Sequence, residues 1–315
     1  MVGIVYANYY LPKQSVSLEE ILINAVSTRL EREAIFQELK VEGGIDYVMA
    51  GSNMDLKLLF LALVEQFLEE TGINPEDVMF ISYTNPAVLL SRDGINIPYL
   101  IKEQYKMRNA SVFVLDQDCA STVYTSGLLS YYLDKHQGKY ALILSANIVN
   151  SLAERYVGFT AVGDACGIMA LGSKPAEFYI VDFNARSNGE YSYFEYLGKT
   201  NRLSGINLIK HAVRTIHELV ERNNIQIPEI ACLIPPSTSI SHYSLFSQIL
   251  DMSVEKIFLD NVSKGGHLGD VDTIRNLHDC NNANRLRSGD FVLLHASGSK
   301  GTNDIVHTNM LLKKV

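Results

Sequence analysis

The chain has little on which an export, metal or nucleic-acid function could rest. Its four cysteines, Cys119, Cys166, Cys232 and Cys280, form no CxxC pair and no zinc-ligand spacing. That excludes a disulfide framework and a structural zinc site as first readings, and a reducing cytoplasm is the expected setting. No apolar run reaches the length that spans a bilayer. The start, Met1-Val-Gly-Ile-Val-Tyr, reads as a strand and lacks the basic and apolar regions of an export signal. No membrane partner is therefore expected. A net charge of −8, without a basic cluster interleaved with aromatics, argues against nucleic acid. Low-complexity tracts are absent too. What is abundant is apolar side chain: 47% of 315 residues, enough for a large core.

A repeat organises these residues. Residues 63–81 and 216–234 each read as an amphipathic helix, a polar turn, Pro-Glu (75–76 and 228–229) and an apolar strand. Residues 112–116, before Cys119, match 256–260, before Gly265-Gly266-His267. Residues 139–146 match 290–297. Three matched segments in one order imply two copies of a βα unit, with parallel-rich sheets covered by helices. The expected halves are 1–172 and 173–315. Helical periodicity is also expected over 18–40, with Ser17 as N-cap, over 55–71 and over 93–107. Strands are expected over 78–84, 111–115 and 140–146, and again after the Gly163-Asp164-Ala165-Cys166-Gly167 turn. Residues 173–205 read as the least regular part, either a connection or a wall of a substrate channel.

Cys119 lies where an apolar strand passes into a helix. Free N–H groups and the helix dipole at such a junction favour a thiolate, the nucleophilic form of cysteine. A pseudo-twofold between the copies would put His267 at the equivalent strand end. Ligands of α/β sheets collect outside the carboxyl ends of strands, so the duplication gives Cys119 and His267 a physical reason to meet. The other histidines, at 136, 211, 217, 242, 278, 295 and 307, lack such a context. One His with nearby carboxylates offers too few good ligands for zinc, and no metal is expected.

The run Asp118-Cys119-Ala-Ser-Thr, the strand 139–146 and the Gly163-Asp164 turn resemble the β-ketoacyl-carrier-protein synthase III branch of the thiolase superfamily over nearly the whole chain. The resemblance implies an α/β thiolase fold, with the duplicated βα halves in a five-layered αβαβα arrangement. It also implies a homodimer, a tunnel that admits a pantetheine arm, and Cys119 as nucleophile. No permanently bound cofactor is implied; acyl-phosphopantetheine on an acyl carrier protein, or acyl-CoA, serves as co-substrate.

The departures from that pattern are specific. Condensing members carry a His in a Pro-His-Gln-Ala-Asn segment, and here Pro236 stands in its place. Their Gly-Asn turn is Gly265-Gly266-His267 here. The C-terminal glycine-rich turn is partly kept over 297–301, so the backbone N–H of Ser299 or Gly298 is expected to join that of Cys119 as an oxyanion hole. The early segment associated with coenzyme A contacts is not recognisable around 25–45. Decarboxylative condensation needs two donors on the thioester oxygen, and losing one such donor costs roughly 2.7–4 kcal/mol. The pattern Gly-His-x-Gly-x-x-Asp instead is similar to that of the ketosynthase III-like acyltransferases of natural-product pathways. It implies a Cys119-His267-Asp272 triad, with Asp270 as the second choice for orienting His267. The expected activity is transfer of an acyl group through a Cys119 acyl-enzyme to a small alcohol or amine. A decarboxylative condensing enzyme, a thioesterase and a non-catalytic partner of a synthase are the alternatives. Asp164 is expected to be structural. Arg155 is expected either to meet a phosphopantetheine phosphate or to lie in a solvated loop.

Overall fold

The computed structural model describes residues 1–51, 54–84, 93–173, 176–198, 205–299 and 304–315. The first part of the chain forms β1 (Gly3–Tyr10), β2 (Ser15–Ser17), α1 (Leu18–Ala25), α2 (Arg29–Phe36), β3 (Tyr47–Met49), α3 (Leu56–Thr71), β4 (Val78–Tyr83), α4 (Ile97–Gln104), β5 (Ser111–Val114), α5 (Ser121–Asp134), β6 (Tyr140–Asn147) and β7 (Ala165–Gly172). Then come β8 (Phe178–Asn188), α6 (Glu190–Tyr196), α7 (Gly205–Arg222), β9 (Ile230–Ile234), α8 (Ile240–Leu250), α9 (Val271–Asn282), β10 (Phe291–Gly298) and β11 (Ile305–Lys314).

Nine strands hydrogen-bond in the order β5-β4-β6-β7-β1-β8-β11-β10-β9. The two flanks mirror one another, β4-β6-β7-β1 against β9-β10-β11-β8. They join where Gly3 and Ile4 of β1 pair with Tyr179 and Phe178 of β8. Helices α3 and α4 cover one outer face, with Phe60, Val64, Phe67 and Ile101 buried against Ile81, Leu142 and Ile168. Helices α7 and α8 cover the other, with Ile216, Leu219 and Phe246 against Leu293 and Leu311. Between the flanks lie α5 and α9, whose Val123, Leu129, Ile274 and Leu277 share one core with residues of both. The stack is helix, sheet, helix, sheet, helix, because each flank has two apolar faces to bury.

Local chemistry sets the element ends. Ser17 caps α1 by accepting Glu20 N–H at 3.2 Å. Asp55 caps α3, which ends at Gly72 in the left-handed region (φ 64°). The residues around 52–53 and 85–92, and part of the 198–205 and 297–301 stretches, lie outside the described residues.

Four expectations are corrected. The sheet is mixed: β4–β5, β4–β6 and β9–β10 are parallel, while β6–β7, β7–β1, β1–β8, β8–β11 and β10–β11 are antiparallel. A short link such as that from β10 to β11 can only make an antiparallel pair. The 173–205 stretch contains β8, an eleven-residue strand that carries the junction of the flanks. Its alternation is masked because both faces mix polar and apolar side chains. The 256–260 segment, which matches β5 in sequence, makes only a bridge between Leu233 and Ile257. The 18–40 periodicity breaks between α1 and α2, and the second piece continues as a π-helix, Gln37–Glu42.

Candidate active site

The turn that carries Cys119 is tightly built. Asp118 has φ 53°, a left-handed conformation that non-glycine residues rarely adopt. It is held there by three contacts. Its N–H reaches Asp116 Oδ1 at 2.9 Å, Ser121 Oγ donates to its carbonyl at 2.6 Å, and its Oδ2 accepts Ser299 N–H at 3.0 Å. Gly298 passes so close that a Cβ there would collide with the Gln117 carbonyl. The result places Cys119 one residue before the N-cap Ala120 of α5. Cys119 keeps part of its surface accessible, while Ala120, Ser121 and Thr122 are buried.

The opposing loop, 265–270, is threaded through narrow gaps. Gly265 and Gly266 have φ 124° and 73°, and a Cβ on Gly266 would come within 2.8 Å of the Ala161 carbonyl. His267 is pinned by its N–H to Ala161 O at 3.0 Å and by its carbonyl to Gly163 N–H at 2.8 Å. Its Nε2 lies 3.3 Å from Cys119 Sγ, and its Nδ1 lies 2.6 Å from Asp272 Oδ2. A carboxylate accepts only, so Nδ1 carries a proton and Nε2 of the neutral ring faces the thiol as acceptor. Asp272, fully buried in the first turn of α9, also accepts Ser237 N–H at 2.8 Å on Oδ2. Its Oδ1 has no hydrogen-bond partner among the described residues.

The electrostatics follow from burial and these partners. Burial raises the Cys119 thiol, His267 pulls it back, and Asp118 and Asp270 push it up again. Burial opposes a charged His267, but the Cys119 sulfur and the Asp272 carboxylate outweigh it, and the imidazole stands well above its ordinary range. The two groups compete for one proton in a largely buried site. The carboxylate at 2.6 Å favours the imidazolium whenever the thiol ionises.

Some residues went unanticipated. Pro236 leaves the condensing-enzyme His position without a side-chain donor, yet its turn supplies the Ser237 N–H that orients Asp272. Asn276 fixes that turn, donating to Pro235 O at 2.7 Å and to Ser237 Oγ at 3.0 Å, and accepts from Asn261 at 2.9 Å. Asn276 follows Asp272 by one helical turn, and that spacing was the available signal.

Other expectations are revised. Asp270 does not touch His267. Its Oδ1 accepts Thr122 N–H at 2.7 Å, and its Oδ2 accepts Thr122 Oγ1 at 2.6 Å and Ser145 Oγ at 2.9 Å. The Ser299 N–H, expected in the oxyanion hole, is donated to Asp118 instead, because the β10 end is drawn against the 116–118 turn. Arg155 is neither solvated nor open to a phosphate. It is 5% exposed and grips Asp164 with Nη1 and Nη2 at 3.2 and 2.8 Å. Asp164 also accepts Gly51 and Val149 N–H groups, which ties three segments together around the His267 loop. A cavity of about 720 Å³ lies beside α1 and α2, lined in part by Arg29, Arg32 and Phe36, and Cys119, His267 and Asp272 do not border it. Among the described residues no helix is long and apolar enough to cross a membrane, and no cluster of His, Cys, Asp or Glu is arranged for a metal.

A β-ketoacyl-[acyl-carrier-protein] synthase III of Sulfurovum is 22% identical over 329 aligned positions, covering 93% of each chain. That of Aquifex aeolicus is 22% identical over 246, covering 74% of this chain and 77% of its own. The chain is β-ketoacyl-carrier-protein synthase III-like. The crystal structure of the Aquifex synthase III superposes with a TM-score of 0.77 at 17% identity, over 99% of this chain and all of that one. An acyltransferase, ChlB3, superposes at 0.81 with 14% identity, over 100% and 98%. The fold is the thiolase fold. No family model matches.

Proposed function

We propose that this synthase III-like protein is an acyltransferase with a Cys119-His267-Asp272 triad. The donor is an acyl thioester of an acyl carrier protein or CoA, the acceptor a small alcohol or amine, and the setting natural-product biosynthesis in the cytoplasm. The observation that carries the reading is the continuous contact from Asp272 Oδ2 through His267 to Cys119 Sγ. The names of the relatives specify carrier-protein chemistry, and the likeness to ChlB3 supports acyl transfer. Two halves, 1–172 and 173–315, each supply one side of the site. A homodimer through the open edge of β5 fits the exposed Val114, Tyr131 and Tyr132.

In the first step Cys119 Sγ, its proton on His267 Nε2, attacks the thioester carbonyl. The Cys119 N–H at the head of α5 stabilises the oxyanion, a role left to it once Ser299 is engaged elsewhere. The donor C–S bond breaks, and the leaving thiolate takes the proton from Nε2. In the second step an alcohol or amine gives its proton to Nε2 as its oxygen or nitrogen attacks the acyl carbon, and the Cys119 S–C bond breaks. Asp272 holds the ring in one tautomer and balances the imidazolium.

Condensation is the second reading, because the curated relatives carry that name. It would need an enolate held by two donors, and both His267 nitrogens already have partners while Pro236 offers none. Incubation with malonyl thioesters distinguishes the two. Carbon dioxide release with a new carbon–carbon bond contradicts the transferase reading, and acyl transfer to a hydroxyl or amine without carbon dioxide supports it.

A further inference from the structure

The buried carboxylate of Asp270 takes no part in the steps above, yet it has three donors and bridges the two sides of the site. It leaves the His267 loop and reaches the first turn of α5, where Thr122 donates both its N–H and its hydroxyl, and it accepts from Ser145 at the end of β6. The N-cap of α5 is Ala120, which has no side-chain acceptor. Asp270 therefore caps the nucleophile's helix from the other side of the active site. We propose that Asp270 is a positioning residue: it fixes Cys119 against His267 and occupies the positive end of α5 with its own negative charge. The inference rests on the reading of Cys119 as nucleophile.

The consequence is electrostatic. A free helix N-terminus stabilises a thiolate. Here that end already faces a carboxylate, so the Cys119 thiolate depends on His267 for its counter-charge. The charged or titratable groups around Cys119 are Asp118 on its own turn, His267 and Asp270 on the facing loop, Asp272 on α9 behind the ring, and the buried Tyr243 of α8. Burial keeps Tyr243 neutral. The burial of Asp270 raises its own carboxyl, and the Thr122 and Ser145 donors, with the nearby Thr84 hydroxyl, work against that rise. Such donors favour the anion over the neutral acid.

The test is the pH dependence of Cys119 alkylation by iodoacetamide, followed as a single mass adduct that is absent in Cys119→Ala. Asp270→Asn keeps the shape and one accepting oxygen for the Thr122 N–H while removing the charge. Its alkylation midpoint falls by about one pH unit, so the variant reacts about tenfold faster on the acid side of the profile. Asp272→Asn moves the midpoint the opposite way, which a general loosening of the site would not do. If Asp270→Asn does not fold, Asp270→Ser, which keeps a short acceptor for Thr122, gives the same downward shift. A midpoint that stays put or rises in the folded uncharged variant overturns the proposal. Alkylation needs no acyl donor, so failure of acyl transfer and failure of this inference show up in different assays.

Discussion

At the residue scale the proposed triad divides its work by position. Asp272 makes no contact with the sulfur and acts through the ring. Replacing it with Asn leaves the volume but offers the imidazole an amide that can stabilise the wrong tautomer. Asp272→Asn is expected to slow transfer from the acyl-enzyme by about 10³–10⁴, read by single-turnover mass spectrometry after pre-loading with donor. Arg155 makes a different kind of contribution. Its pairing with Asp164 is buried on both sides, and Arg155→Met leaves a carboxylate with its backbone donors but no cation. That change is expected to cost about 3–5 kcal/mol in urea unfolding. An unchanged midpoint would show that Gly51 and Val149 suffice to hold Asp164.

At the element scale the site depends on close backbone approaches at Gly266, against the Ala161 carbonyl, and at Gly298. A Cβ on Gly298 meets the Gln117 carbonyl, so Gly298→Ala must push β10 away from the turn that carries Cys119. The expected result is a loss of about 1–3 kcal/mol of stability and acyl-adduct formation slowed more than tenfold, measured by calorimetry and stopped-time mass spectrometry. Much of this scale was legible in the sequence, because the repeat compares the chain with itself. The matched helix–Pro-Glu–strand segments became α3 with β4 and α7 with β9, and the matched 139–146 and 290–297 runs lie in β6 and β10. Cys119 and His267 read as partners for the same reason. What was not legible lay in single side-chain directions. Asp270 and Asp272 are two residues apart on a helix start, so they point to different neighbours, and spacing alone could not say which met the imidazole. The engagement of Ser299 with Asp118 depends on a contact 181 residues distant in sequence. The strand β8 was hidden because its buried face carries Asn184 where an apolar residue would have shown the period.

At the scale of the whole molecule the second flank conceals a polar layer that no motif or spacing announces. His295 and His307, on adjacent strands, meet at Ser297: His307 Nδ1 lies 2.7 Å and His295 Nε2 3.3 Å from its hydroxyl, while His295 Nδ1 faces Asn309 Oδ1 at 2.8 Å. These contacts can all be satisfied with both rings neutral. Burial lowers His295 to about 4 and His307 to about 3. Both folded values lie below the unfolded imidazole value, so this stabilisation is full above about pH 6.5 and is lost as the pH falls toward 4 and then 3. Thermal midpoints from pH 7.5 to 4.5 should fall more steeply for the wild type than for a His295→Gln, His307→Gln double variant; parallel curves would contradict this. The chemistry of the Cys119-His267 site is most directly tested by the mass of the intact protein. Incubated with an acyl-carrier thioester, the wild type should gain one acyl mass on Cys119 that persists in water and disappears when an alcohol or amine acceptor is added. An adduct that forms equally on Cys119→Ala, or one that acceptors never discharge, would contradict the account.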